Sequence, residues 1–135
     1  MTDPRIRPET LVHSAVFPIE LKNGNNGRSV HWSRSANRRK QYERYLILSG
    51  NRRTPFLFPV LAHLVRLRGP RQRTWDSDSW QRGNWKELCD ALVKVGWFHD
   101  DRRRWIVETL FSEESPKEHG LERAATRIEI YKVDR

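Results

Sequence analysis

The sequence predicts a small mixed α+β domain in the order strand, helix, strand, helix, strand, strand, with about four strands and two helices. Three observations predict it. The chain has 135 residues and one cysteine, so it is long enough to bury a core without cross-links. Short apolar, β-branched runs alternate with two stretches whose apolar residues recur at helical spacing. Clusters of Gly, Pro and Asn fall between those segments. Residues 11–133 are expected to form a single domain, and residues 1–10, which include Pro4 and Pro8, a disordered tail.

The first strand is expected over Leu11 to Ile19, an apolar and β-branched run that meets Pro18 near its end. Lys22 to Arg28 is too rich in Asn and Gly for a regular element. Ser33 or Ser35 is placed to cap a helix that reaches about Ser49 and closes at Gly50. Tyr42, Tyr45, Leu46 and Ser49 share one face of it, with Arg34, Arg38 and Gln41 elsewhere around the cylinder. Val60 to Leu67 reads as the second strand, with Leu61, Val65 and Leu67 on one side and Pro59 ahead of it. A second helix is expected from about Asn84 to Val95, where Trp85, Leu88, Cys89 and Leu92 make an apolar stripe and Gly96 ends it. Trp105 to Phe111 and Thr126 to Val133 read as the closing strands, joined by an exposed hairpin loop over Ser112 to Arg123.

Composition narrows the function classes. One cysteine, Cys89, excludes a disulfide framework and a cysteine-rich zinc site. The first residues lack the apolar stretch of a signal peptide and no run reaches membrane-span length, so a cytoplasmic protein without a membrane anchor is expected. The formal charge is +9, and it is unevenly spread. Residues 1–74 carry 15 Lys/Arg against 4 Asp/Glu, a balance of +11, while residues 75–135 carry 11 against 13, a balance of −2. Arg, favoured for forked phosphate contacts, outnumbers Lys. A nucleic-acid partner is the reading this pattern favours. Arg34, Arg38, Arg39, Lys40, Arg71 and Arg73 are the expected phosphate contacts, with Arg102, Arg103 and Arg104 placed to assist.

Within this basic chain, acids gather in one region: Asp76 and Asp78 just beyond the second strand, then Asp100 and Asp101 before the third. Two residues apart in extended chain, Asp76 and Asp78 point to the same side. If the second and third strands are neighbours, the two acidic turns can converge at one edge of the sheet. Three or four carboxylates there would repel one another without a cation, and hard oxygen donors suit Mg²⁺. The plainer reading is that these are turn acids. An EF-hand loop from Asp76 fails because Gln81 stands where Gly is required. No Glu-x-Lys triplet of the restriction-nuclease kind follows Asp76 or Asp78, and no Walker-type loop occurs, so a nucleotide cofactor is not expected. Asp-x-Asp also suits glycosyltransferases, though the chain is short for a nucleotide-sugar fold. The five His make no zinc pattern; His99, beside the Asp pair, is placed to orient water or is a plain turn residue. Trp85, Trp97 and Trp105 read as core, whereas Trp75 and Trp80 flank the acids, where they pack or stack on bases.

Asp76 and Asp78, Lys86 ahead of Asp90, Ala91 and Leu92, Lys94 with Gly96, and the pair Asp100–Asp101 together resemble the RusA family of Holliday junction resolvases. That family shows Asp-x-Asp-Asn, a helix Lys ahead of Asp-Ala-Leu, Lys-x-Gly and paired Asp. Asn25, Asn26, His31 and Trp32, followed by a basic helix, are similar to its N-terminal half, and the likeness covers most of residues 11–133. Two departures stand out: Ser79 replaces the motif Asn, and the stretch Ser79 to Trp85 is longer than in compact members, with Asn84 positioned to supply an amide.

The resemblance implies Asp76, Asp78 and Asp101 as Mg²⁺ ligands (with Mn²⁺ able to substitute), Asp100 as a helper, and Lys86 stabilising charge on the phosphate. It also implies four-way DNA junctions as substrate, phosphodiester hydrolysis, and a homodimer. The alternative expectation is a branched- or duplex-DNA-binding protein without nuclease activity, which the Ser79 departure favours.

Overall fold

The computed structural model describes residues 4–18, 32–72 and 85–133, and only the backbone of residues 32–36. Among them are four strands, β1 (Leu11–Phe17), β2 (Val60–Leu67), β3 (Ile106–Glu114) and β4 (Ala125–Lys132). Two longer helices, α1 (Trp32–Leu48) and α2 (Trp85–Lys94), precede a short α3 (Pro116–His119). The strands form one sheet in the order β1-β4-β2-β3. The β4 strand is antiparallel to both β1 and β2, whereas β3 runs parallel to β2. This is the small mixed α+β architecture the sequence predicts.

All eight residues of β2 are buried, which is what a central strand covered on both faces requires. Toward the helices it sends Val60, Ala62 and Leu64 into the main core. There they meet Tyr42 and Leu46 of α1, Leu88, Cys89, Ala91 and Leu92 of α2, and Ile128 and Ile130 of β4. Of the apolar stripe expected of that helix, Leu88, Cys89 and Leu92 are buried and Trp85 packs against the core, with Ala91 joining them. The face of α1 is narrower than expected, because Tyr45 and Ser49 are exposed and only Tyr42 and Leu46 reach the core.

The opposite face of the sheet carries a polar chain between two small apolar clusters, Leu61, Leu110 and Tyr131 at one end and Val65, Leu67 and Ala125 at the other. His63 Nδ1 lies 2.8 Å from Glu129 Oε1, and His63 Nε2 lies 2.7 Å from Ser112 Oγ. An ionised Glu129 only accepts, so Nδ1 carries a proton and donates to it, while Nε2 is hydrogen-bonded to the Ser112 hydroxyl. Tyr131 also donates to Glu129 at 2.8 Å. Arg127 bridges Glu129 and Glu114, and on the helix side Arg66 pairs with Glu113 at 2.7 Å.

Those pairs explain a correction. The third strand does not stop at Phe111: residues 112–114 continue the ladder with β2. Acids that look like loop residues in the sequence find Arg partners on neighbouring strands. The connection that follows is not a hairpin, since β2 lies between β3 and β4. It contains α3, whose cap Ser115 accepts from Glu118 N while Glu118 accepts from Ser115 N, a capping box. The expected N-terminal tail is also ordered in part. Pro8–Thr10 form a 3-10 turn, Ile6 packs on Leu61, Leu110 and Tyr131, and Arg5 pairs with Glu108.

Two helix-ending glycines differ in what surrounds them. Gly50 has φ +75° and open space where a Cβ would stand. Gly96 has φ +99°, and a Cβ there would fall 1.9 Å from the Arg53 carbonyl oxygen. Gly50→Ala should therefore lower stability by about 1 kcal/mol from left-handed strain alone. Gly96→Ala should cost at least about 3 kcal/mol, since backbone must move as well. Urea denaturation of the two variants checks this, and equal losses would refute the contact.

The pH dependence of folding tests the polar chain. The hydrogen bond from His63 holds Glu129 at about 2, below its ordinary 4.5, with Tyr131 and Arg127 assisting against the opposing effect of burial. A depressed carboxylate stabilises the fold fully above its unfolded value and loses that contribution as pH falls through the folded one. Glu129→Gln should accordingly flatten the loss of stability between pH 4.5 and 2, measured by denaturation midpoints across that range.

Candidate functional site

The site grows from the register of α2 against the turn before β3. After α2 ends, Gly96 and Trp97 turn the chain against residues 51–56. Arg53 N donates to Val95 O at 3.2 Å, Trp97 Nε1 to Asn51 O at 2.6 Å, and Phe56 N to Trp97 O at 3.4 Å. Trp97 is fully buried in the core. The turn from His99 to Trp105 then leads into β3, and its carboxylates lie beside the first turn of α2. Lys86 Nζ donates to Asp101 Oδ2 at 3.0 Å and to Asp90 Oδ1 at 3.3 Å. Fifteen residues separate Lys86 from Asp101 in sequence, so the fold, not local spacing, joins them.

Their electrostatics agree. The hydrogen bond from Lys86 lowers Asp101 below the usual carboxylate range, and the bonds to Asp101 and Asp90 raise Lys86. Both shifts favour the charged pair. Asp101 stabilises the fold above its unfolded value and Lys86 below its own, so the pair acts across the neutral range. With side chains 69% and 46% exposed, it contributes little to folding.

A cleft of about 290 Å³ opens beside the pair, lined by Trp85, Lys86, Cys89, Asp101, Ile106, Val107, Glu108 and Thr109. Burial pushes the Cys89 thiol up to about 12, so it presents a neutral sulfur to this cleft and not a nucleophile. Asp100 is spoken for differently: its Oδ1 accepts Arg102 N at 2.8 Å and fixes the turn. That is the plain turn role, leaving its second oxygen unengaged by this bond.

Asp76 and Asp78, with Ser79, Asn84, Trp75, Trp80 and Arg73, lie outside the described residues. Strands β2 and β3 are indeed neighbours, but parallel. The end of β2 and the start of β3 therefore lie at opposite ends of the pair, and convergence of the two acidic turns does not follow from strand adjacency. Among the described residues no group of three or more His, Cys, Asp or Glu is arranged to hold a metal ion. Of the expected ligands, these residues contribute Asp101 and one oxygen of Asp100, hard donors of the chemistry Mg²⁺ takes.

The basic residues divide into two kinds. Arg38 of α1 turns inward to Glu87 of α2 at 3.4 Å and ties the helices together, and Arg39 lies 3.8 Å from Glu43. Lys40, Arg71, Arg102, Arg103 and Arg104 are exposed. The side chain of Arg34 lies outside the described residues. Sequence reasoning missed Glu87, which is buried although charged, and a buried acid one residue from a candidate Lys has only the helical phase to reveal it. Trp105 also departs from expectation. Among the described residues it packs into none of the apolar clusters and instead meets His99, ring centroids 4.5 Å apart.

The sequence matches no family model and no curated protein. Among the described residues no helix is long and apolar enough to cross a membrane.

The Lys86–Asp101 bond is directly testable. Asp101→Asn should bring the Lys86 ammonium back toward its ordinary value while leaving the melting temperature within a few degrees. An NMR pH titration of the Lys86 side chain reads this, and an unchanged Lys86 would show that the bond does not form in solution.

Proposed function

We propose that this chain is a Mg²⁺-dependent, structure-selective endonuclease of the RusA type, hydrolysing phosphodiester bonds in four-way or otherwise branched DNA during recombination and repair. One observation carries the reading. Lys86 and Asp101, which the resemblance makes the cationic and metal-ligating groups of one centre, lie 3.0 Å apart at an open cleft. Asp76 and Asp78 would complete the ligand set; Asp78 stands eight positions before Lys86, within reach of the cleft by chain length.

Bound there, Mg²⁺ or Mn²⁺ would activate water and neutralise charge on the phosphate. The chain's own residues do the rest. Asp101, kept ionised by Lys86, offers a carboxylate to the cation at any pH near neutrality. Lys86, exposed and free to rotate toward a ligand, stabilises charge that builds on the phosphate oxygens. The exposed Arg102, Arg103 and Arg104 hold neighbouring phosphates, and 5′-phosphate and 3′-hydroxyl ends are the expected products.

A homodimer belongs to the same proposal, because a two-fold junction calls for two symmetric cuts. Val16 and Leu121 are exposed and line one groove with Ala125. A second copy could cover that surface. A cytoplasmic location and the absence of a nucleotide cofactor complete the proposal.

The alternative, a branched- or duplex-DNA-binding protein without nuclease activity, is favoured by one specific observation. Asp101 is bonded to Lys86 and Asp100 to its own turn, so both carboxylates have partners without a metal. A labelled four-way junction incubated with Mg²⁺ or Mn²⁺ separates the readings. The nuclease reading expects nicking that Asp78→Asn and Asp101→Asn each reduce by at least about 100-fold, with junction binding retained. Binding should weaken with salt at a log–log slope of about −0.9 per phosphate neutralised. Binding without cleavage in either metal would establish the alternative.

A further inference from the structure

The turn from His99 to Trp105 carries a feature that neither cleavage chemistry nor folding uses. Trp105 is only partly buried and joins no apolar cluster, although a large indole ordinarily contributes heavily to a core. Among the described residues its ring neighbours are both exposed: His99, at 4.5 Å and tilted 45°, and Arg104, whose guanidinium carbon lies 5.1 Å from the ring centroid. Arg102, Arg103 and Arg104 form no salt bridge among the described residues and outnumber the neighbouring Asp100 and Asp101, so the patch keeps a positive balance even though Arg102 acts on Asp101.

The backbone beneath this patch is fixed. Asp100 Oδ1 accepts from Arg102 N, Arg102 O accepts from both Trp105 N and Ile106 N, and Trp105 O accepts from Val60 N at 2.8 Å. That last bond pins the turn to the central strand, while β3 lies at the edge of the sheet. An aromatic pair held on rigid backbone, flanked by exposed arginines, suits one class of ligand: an unpaired nucleotide, with its base stacked on a ring and its phosphates on guanidinium groups. A fully paired duplex offers phosphates but no free base face.

We propose that the His99–Trp105 turn is a stacking site for an unpaired base, holding single-stranded or locally opened DNA next to Asp101. The exposed His99 ring is the outer platform, Trp105 backs it, and the arginines clamp the backbone. The inference rests on the nucleic-acid reading above but adds a strand-state preference that reading does not contain.

Anisotropy titrations in EDTA, with a short labelled oligothymidylate and a labelled paired duplex, test it. Trp105→Ala should weaken oligothymidylate binding about tenfold and duplex binding by less than about twofold, whereas Trp105→Phe should keep most of the affinity. His99→Ala, at an exposed ring, should produce the same selective loss, and it decides the matter if Trp105→Ala fails to fold. Equal losses on both probes, or none on either, overturn the stacking site while wild-type junction binding leaves the functional reading standing. A wild-type protein that binds neither probe nor junction overturns both.

Discussion

The close passage of Gly96 under the Arg53 carbonyl is the constraint from which the site follows. A side chain at position 96 would occupy the space of that oxygen, so only glycine lets the chain leave α2 along this path. Once it does, Arg53 N, Asn51 O and Phe56 N all bond to the 95–97 segment, and Trp97 is driven into the core between the helices and the sheet. The turn that follows has little freedom left. Its far end is pinned by Trp105 O to the first residue of β2, and its near end by Trp97. Asp101 sits between the two anchors, opposite Lys86 on the first turn of the helix that Gly96 ends. A contact between backbones at one end of α2 thus fixes a pair of side chains at its other end.

The two faces of the sheet solve different problems with the same strand. Toward the helices β2 is apolar apart from Arg66, and its burial is ordinary hydrophobic packing of roughly 1.5–3 kcal/mol per large side chain. On the other face His63 is 7% exposed, and its bonds to Glu129 and Ser112 cross from β2 to both neighbouring strands. The order Ser, His, Glu matches that of a hydrolase relay, but here its members come from three adjacent strands in mid-sheet. Both bonds His63 makes join one strand to the next, and a substrate has no approach to a histidine so covered. These bonds fix register, where a slip of one residue would turn the whole apolar set to the wrong side.

Much of this was legible from residue patterns, and the failures share a cause. The limits of β2 match their expectation, and Gly50 and Gly96 end α1 and α2 as local chemistry dictates. Local signals failed where a partner distant in sequence decides the outcome. Glu113 and Glu114 look like loop residues until Arg66 and Arg127 stand across from them. Arg38, expected at phosphate, has Glu87 of the next helix 3.4 Å away, a pairing that no local signal announces. The parallel pairing of β2 with β3 has no signature in either strand. It places the end of one and the start of the other at opposite ends, which the expectation of converging turns did not foresee. For the site, the sequence brought forward Lys86 and Asp101 but not the bond between them.

The exposure of the ion pairs separates structural charges from those available for chemistry. Arg66 and Glu113, at 7% and 12%, are sealed in the sheet, and removing either would leave a buried charge at a cost of about 3–5 kcal/mol. Lys86 and Asp101, at 69% and 46%, stay in contact with water, which holds the worth of their bond to about 1 kcal/mol or less. A pair so weakly held can exchange partners: the carboxylate can turn to a cation and the ammonium to a phosphate at little cost to the fold. A sealed pair cannot do this, whatever its residue types. The same contrast explains why a chain of net charge +9 keeps some arginines inward and others exposed. Those facing Glu87, Glu113 and Glu114 tie elements together, and those on the turn after Asp101 face solvent and outnumber its two acids. Among the described residues, charge that ties elements together is neutralised within the fold, whereas the arginines after Asp101 keep a positive balance at the surface.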